Sequence, residues 1–249
     1  MKFNTNKSMV NYQSNDKART RLICFSNAGG SPSMFRQWHA SIGSDVEVWG
    51  AVYPGRDTLI GEPLSKSIST IISYYINDLS FFDNVKVIFY GHSFGALVAY
   101  MLAIKLRDLG RSIDILCVGA RRSPTTYPRE KIDFSSDKKL IEQLATFGGV
   151  PDILLQDEDM LNYFLPHIRN DLELNETTIT LPDMKLDMPI FAFSSPDDIL
   201  VLPKEIKAWQ DCTDTFFENI SLSGGHFFIK NNKSVFFDQI NRIVEKSIR

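Results

Sequence analysis

Residues 85–104 read VKVIFYGHSFGALVAYMLAI. Val85–Tyr90 is a short, nearly continuous apolar run dominated by β-branched and aromatic side chains, the pattern of a strand covered on both faces. Gly91-His92-Ser93-Phe94-Gly95 follows at once and fits G-x-S-x-G. A helical stretch then runs from Phe94 to Leu109, with Gly110 as its stop. Strand, tight turn and helix form the one local context in which G-x-S-x-G marks an exposed nucleophile. The flanking glycines take Cβ atoms away where the backbone must double back, so the Ser93 hydroxyl projects above the sheet. A glycine-rich helix start with Ser93 as a mere N-cap would need no strand before it.

The same alternation extends in both directions. Leu22–Ser26, Val46–Val52, Ile113–Val118, Ile190–Ser194 and Thr215–Ile220 read as further strands, while Met34–Ile42, Ile68–Leu79, Lys204–Trp209 and Val235–Ile248 read as helices. Regular βαβ alternation predicts an α/β fold, a mostly parallel, doubly wound sheet with right-handed crossovers. Between Pro124 and Pro189 the rhythm stops. That stretch holds two amphipathic segments, Asp137–Phe147 and Glu158–Leu174, and is too long for a plain connection. It reads as a helical lid inserted at about 124–189 over the carboxyl edge of the sheet, within a single domain spanning 1–249.

Composition sets the outer limits. The chain has 249 residues, 43% of them hydrophobic, with formal net charge −3. It buries a large core without staples, is too apolar to be disordered, and carries no global nucleic-acid signature. Cys24, Cys117 and Cys212 are far apart and form no C-x-x-C pair, which points to free buried thiols in a reducing cytoplasm. The first fifteen residues lack the apolar core of a signal peptide, and the longest apolar run, Ala96–Ile104, is far shorter than a membrane span.

A serine hydroxyl needs a base to take its proton. Of four histidines, His92 lies inside the turn and His39 precedes the serine, whereas sheets with this turn order their triads as nucleophile, acid, base. His167 falls in the lid. His226 follows Gly224-Gly225 just past the last strand, where a glycine pair lets the chain turn sharply toward the carboxyl edge, and is the base. The acid belongs between them at a strand end, and Asp197 and Asp198 after Ile190–Ser194 both qualify. Asp114 starts its strand and lies at the wrong edge. An oxyanion hole would draw one backbone N–H from Phe94 and one from Ala28 in the glycine-rich loop Ser26–Ser31. That loop matches neither G-x-G-x-x-G nor G-x-x-x-x-G-K-[ST].

Taken together, Cys24–Ser31, Tyr53-Pro54-Gly55-Arg56-Asp57, Gly91–Ala96, Leu165-Pro166-His167-Ile168-Arg169-Asn170-Asp171 and Gly224-Gly225-His226-Phe227-Phe228 resemble, in order, the type II (editing) thioesterases of polyketide and nonribosomal peptide synthetase systems. Those enzymes have the α/β-hydrolase fold. The resemblance implies hydrolysis of stalled or aberrant acyl thioesters from the phosphopantetheine arm of acyl or peptidyl carrier proteins. It implies Ser93 as nucleophile, Asp197 as acid, His226 as base and the N–H groups of Ala28 and Phe94 as oxyanion donors, with no metal or redox cofactor. Thioesterase domains fused to a synthetase often carry the acid one strand after the nucleophile. Here that position reads Gly119-Ala120-Arg121-Arg122, which favours the free-standing type, working as a monomer with neither nucleic acid nor membrane as partner. The chain departs from the family at Ser26-Asn27, where Pro-His is common, and at Ser194-Ser195-Pro196, where glycines are common.

Carrier proteins of such systems tend to be acidic, so Arg121, Arg122, Arg129 and Lys131 form a candidate basic dock. Lid residues Leu144, Phe147, Leu161 and Phe164 divide between core contacts and an acyl pocket. Two rival functions share the pattern: a general carboxylesterase or lipase, and a non-catalytic hydrolase-like binding protein.

Overall fold

The computed structural model describes residues 7–248 apart from 78, 83, 130, 147–155 and 180–183. Among the described residues, strands β1 (Met9–Asn11), β2 (Thr20–Phe25), β3 (Val46–Ala51), β4 (Lys86–His92), β5 (Ile115–Gly119), β6 (Ile190–Ser194) and β7 (Phe217–Ser221) form one sheet. Their order is β1-β3-β2-β4-β5-β6-β7. Every neighbouring pair is parallel except β1 with β3. β2, β4, β5 and β6 are almost entirely buried, which is why they read as continuous rather than alternating apolar runs.

Helices cover both faces. On one side α1 (Ile68–Tyr75) and α2 (Phe94–Asp108) pack Ile72, Tyr75, Leu97 and Tyr100 into a cluster with Phe25 and Phe89. On the other, α6 (Lys233–Ile248) brings Phe236 and Ile240 against Trp38, Tyr90 and Phe193. α2 is buried nearly all round, as a helix beside the centre of a doubly wound sheet must be. Burying each of its large side chains contributes about 1.5–3 kcal/mol. It stops at Gly110, whose φ of +72° suits a residue without a Cβ.

The sequence reading and the structure differ at the short elements. β1 lies in a polar N-terminal segment without strand periodicity and exists by pairing with β3. The expected helix Met34–Ile42 is two 3-10 turns, Pro32–Phe35 and Trp38–Ala40, and Lys204–Trp209 splits into α5 (Pro203–Lys207) and a 3-10 turn. Between 124 and 189 lie α3 (Asp137–Thr146) and α4 (Glu158–Thr177). Leu140 and Leu144 meet Leu165 and Ile168 in a separate small cluster, with Phe164 against it. Leu161 is half-buried, and Phe147 lies outside the described residues. No helix among the described residues is long and apolar enough to cross a membrane.

The chain passes from β2 outward to β3, then returns across β2 to β4. The switch point of the sheet is therefore between β2 and β4, where the carboxyl ends of the strands leave a crevice. Phe25 is in register with Gly91, so the loop after β2 and the turn after β4 emerge side by side. α2 begins hard against this point. A Cβ on Gly95 would lie 2.1 Å from the Phe25 carbonyl oxygen, and one on Gly91 would lie 2.3 Å from the Gly95 carbonyl oxygen. Gly95→Ala is expected to destabilise the fold by about 2–3 kcal/mol, through backbone displacement rather than lost packing. Urea unfolding of the purified variant checks this, and an unchanged midpoint would contradict the close approach.

Candidate active site

Ser93 sits between β4 and α2 with φ 53° and ψ −119°, a left-handed conformation that a residue with a side chain adopts only when its surroundings enforce it. The enforcement is visible. Its N–H donates to the Gly119 carbonyl at the end of β5 (2.8 Å), and the close approaches at Gly91 and Gly95 leave the turn no other path.

His226 arrives from the opposite side of the crevice. After β7 the chain turns through Gly224 (φ 118°) and Gly225 (φ 69°), and the Gly225 N–H donates to Ser195 Oγ at 3.0 Å. Ser195, placed where glycine is common in the resembling family, thus anchors the histidine loop. His226 Nε2 lies 3.2 Å from Ser93 Oγ, and Nδ1 lies 2.9 Å from Asp198 Oδ2. An ionised carboxylate only accepts, so Nδ1 carries the proton and Nε2 turns its lone pair to the serine.

The acid facing His226 is Asp198. The expectation of Asp197 is overturned by the turn that holds both residues. The Asp198 N–H bonds back to the Ser195 carbonyl at 3.2 Å, which folds the fourth residue of the turn inward and leaves the third outside. Asp198 is 4% exposed, whereas Asp197 is exposed and only receives the Gly224 N–H at 3.3 Å. Asp198 Oδ1 also accepts from Leu200 N (2.8 Å) and Val201 N (3.1 Å). Burial pushes its pKa up. The hydrogen bond and charge of His226, with those two N–H groups, more than offset it and leave the carboxyl below its ordinary range.

His92 is a second histidine at the site, fully buried. Its Nε2 is 2.9 Å from the His226 carbonyl oxygen and its Nδ1 is 3.1 Å from Tyr90 Oη. The carbonyl can only accept, so Nε2 carries the proton and Nδ1 accepts from the Tyr90 hydroxyl. Burial, with the neighbouring His226 charge, lowers its pKa from 6.5 to about 3. His92 is thus a neutral bracket on the His226 backbone. Its place inside G-x-S-x-G excludes it as base, yet nothing in the sequence shows this second use. The remaining histidines stay away from Ser93. His39 Nδ1 lies by the Arg36 carbonyl, and His167 lies between the Tyr163 and Gly55 carbonyls.

Ser93, His226 and Ala28 open onto a cavity of about 340 Å³, whose apolar wall includes Leu144, Ile168, Leu172 and Val201. Leu144 therefore serves both the α3–α4 cluster and the cavity. Phe94 is the first residue of α2, so its N–H has no intrahelical acceptor. Of the candidate basic dock, Arg121 and Arg122 are 2% and 8% exposed and face the cavity instead of a surface. Arg121 Nε donates to Asn175 Oδ1 (2.9 Å), and Arg122 pairs with Glu176 (3.2 Å), both on α4. Only Arg129 and Lys131 are exposed, at the cavity's edge.

A serine on a strained turn, a histidine and an inward carboxylate at the switch point of this sheet define a serine hydrolase of the α/β-hydrolase fold. The chain belongs to the thioesterase family, whose "Thioesterase domain" pattern matches residues 20–248. It is 30% identical to the gramicidin S biosynthesis protein GrsT of Aneurinibacillus migulanus over 92% of this chain and 90% of that one. It is 29% identical to a probable cadicidin biosynthesis thioesterase of Streptomyces griseus over 92% of this chain, and spans 62% of that longer relative. Among solved structures it resembles the type II thioesterase BorB from the borrelidin biosynthetic cluster, at TM-score 0.84 and 28% identity, covering 99% of this chain and 100% of that one.

Asp198→Asn is expected to lower kcat by about 10³–10⁴-fold, because an amide no longer stabilises the imidazolium. Asp197→Asn should stay within a few-fold of the parent, and steady-state kinetics on the two variants decide between the neighbouring carboxylates. For His92, the unfolded chain binds more protons than the folded one between pH 6.5 and about 3. Its contribution to stability is therefore complete above pH 6.5 and is lost as pH falls toward 3. His92→Gln keeps a donor for the His226 carbonyl but does not titrate. Its unfolding midpoint should fall less between pH 6.5 and 5 than that of the parent, as measured by urea titration at each pH.

Proposed function

We propose that the protein hydrolyses acyl thioesters carried on the phosphopantetheine arm of acyl or peptidyl carrier domains, clearing stalled or aberrant groups in polyketide or nonribosomal peptide synthesis. The observation that carries this reading is the Ser93–His226–Asp198 chain of hydrogen bonds opening onto a cavity with one apolar wall, in a chain of the thioesterase family. Ser93 attacks the thioester carbonyl as His226 Nε2 takes its proton. The developing oxyanion is met by the N–H groups of Ala28 and Phe94. His226 gives the proton to the departing thiolate as the C–S bond breaks, and the acyl group stays on Ser93 Oγ. A water, deprotonated by the same imidazole, attacks the acyl-serine and releases the carboxylic acid. Asp198 holds the tautomer and stabilises the imidazolium throughout.

A thiolate is a good leaving group, since its conjugate thiol has a pKa of about 8.5, so the scheme needs no metal or cofactor to assist departure. The acyl chain would run along Leu144, Ile168 and Leu172, under the helices of the 124–189 lid, which belongs to the same single domain as the sheet. The exposed Arg129 and Lys131 leave a smaller basic rim for an acidic carrier than the four residues read from the sequence. Three buried free cysteines fit a reducing, cytoplasmic setting.

Ser93→Ala is expected to lose about 10⁴-fold or more in kcat on an acyl-carrier thioester. The parent should also prefer acyl-carrier thioesters to p-nitrophenyl esters of the same acyl group in kcat/KM. The reverse preference would mark a general carboxylesterase, and failure of Ser93 to react with a fluorophosphonate probe would mark a non-catalytic relative.

A further inference from the structure

We propose that Asp171, on the lid helix α4, is a positioning residue for the oxyanion hole, and that turnover therefore depends on how the lid is seated. This rests on the functional reading above. The loop that carries the Ala28 N–H is gripped immediately downstream of that donor. Asp171 Oδ2 accepts the Gly29 N–H at 2.9 Å and Arg56 Nη1–H at 2.9 Å, while Oδ1 accepts Arg56 Nη2–H at 3.0 Å. Arg56 Nη1 also donates to the Gly30 carbonyl at 3.1 Å. The N–H of Gly29 and the carbonyl of Gly30 are thus both held from outside the loop.

The upstream end is held by the same group of residues. The Tyr53 hydroxyl donates to the Ser26 carbonyl at 2.9 Å, and the Arg56 guanidinium lies 5.3 Å from the Tyr53 ring centre. That ring meets Phe94 edge-on at 5.4 Å, so the residue supplying the second oxyanion donor packs on the same support. α4 also presses directly on the loop. Gly29 has φ +68°, and a Cβ there would lie 2.3 Å from Ile168 Cγ1. One residue earlier on the helix, His167 Nε2 lies 3.0 Å from the Gly55 carbonyl, beside Arg56.

The Asp171 side chain is 1% exposed and that of Arg56 is 8% exposed. A buried ion pair is a poor source of stability, since apolar residues of equal volume commonly do as well. What this pair supplies is geometry. Its bidentate fork admits one orientation, and it joins three segments that are remote in sequence: the β2 loop, the loop after β3, and α4. If α4 lifted, it would take the Asp171 carboxylate from the Gly29 N–H and release the Ala28 donor with it.

The test is steady-state kinetics of Asp171→Ala and Asp171→Asn, with active sites counted by fluorophosphonate labelling carried to completion. An acyl-carrier thioester and the matching p-nitrophenyl ester are both used. Displacing a donor by about 1 Å can cost on the order of 10²-fold in rate. Asp171→Ala should therefore lower kcat by about that factor per labelled site on both substrates, with KM nearly unchanged. Asp171→Asn keeps an acceptor for Gly29 and should recover part of the loss. Affinity for a trifluoromethyl ketone analogue should fall in step with kcat/KM. Parental kcat per labelled site and parental analogue affinity in Asp171→Asn and in any folded Asp171→Ala, however unstable those variants are, would overturn the proposal. The p-nitrophenyl ester reports on the hole whatever the natural acyl carrier. Failure of the carrier thioester alone would therefore strike the substrate assignment and not this proposal.

Discussion

The close approach of the first turn of α2 to the carboxyl end of β2 is the constraint on which the rest of the site depends. Gly95 lies so near the Phe25 carbonyl that no side chain fits between them. With Gly91 equally tight against Gly95, the chain between β4 and α2 must turn through Ser93 in a left-handed conformation. The strain of such a turn, of order 1–3 kcal/mol, is offset by the buried surface of α2 and the central strands. Because Phe25 and Gly91 share a register, Ser93 and the loop bearing Ala28 leave the sheet at one level. Close packing and strand register together bring that loop beside Ser93.

The polar part of the site obeys a second rule, that buried polar groups in low dielectric must be paired. Asp198 answers His226 with one oxygen and two backbone N–H groups with the other. His92, kept neutral by burial, holds the His226 backbone and is itself held by Tyr90. His226 is therefore fixed at its ring and at its main chain. Arg56 and Asp171 do the equivalent for the loop on the other side of Ser93. α4 also contributes Asn175 and Glu176 to the arginines that follow β5, so it is joined to the site by polar contacts in two places.

How much of this was legible depends on how local each feature is. Ser93 is legible because its strand, glycines and helix are contiguous, and His226 because elimination among four histidines leaves one at the right edge. Asp197 and Asp198 differ only in which side of one turn they occupy. That is set by the Ser195–Asp198 hydrogen bond and by the two N–H groups Asp198 must satisfy. A resemblance between sequences does not register it. The basic residues misled for a related reason. Four cations near the lid read as a surface, yet Arg121 and Arg122 turn inward because α4 supplies acceptors for them from more than fifty positions away. β1 exists because β3 offers it an edge, and no periodicity in its own three residues could announce it.

The amino-acid sequence by itself determined the class of sheet, the family, and the choice of Ser93 and His226 that the structure brings together, since each is written in short-range order: apolar runs, glycine spacing and the succession of motifs. Only the tertiary structure decided which aspartate faces His226, that His92 braces the His226 main chain, that two arginines face the cavity, and that Asp171 reaches back to the loop bearing Ala28. The physical reason is common to all four. Each depends on which side of a turn or helix is buried and on which distant backbone groups then need a partner, and those demands arise only when the helices, the sheet and its loops are packed together.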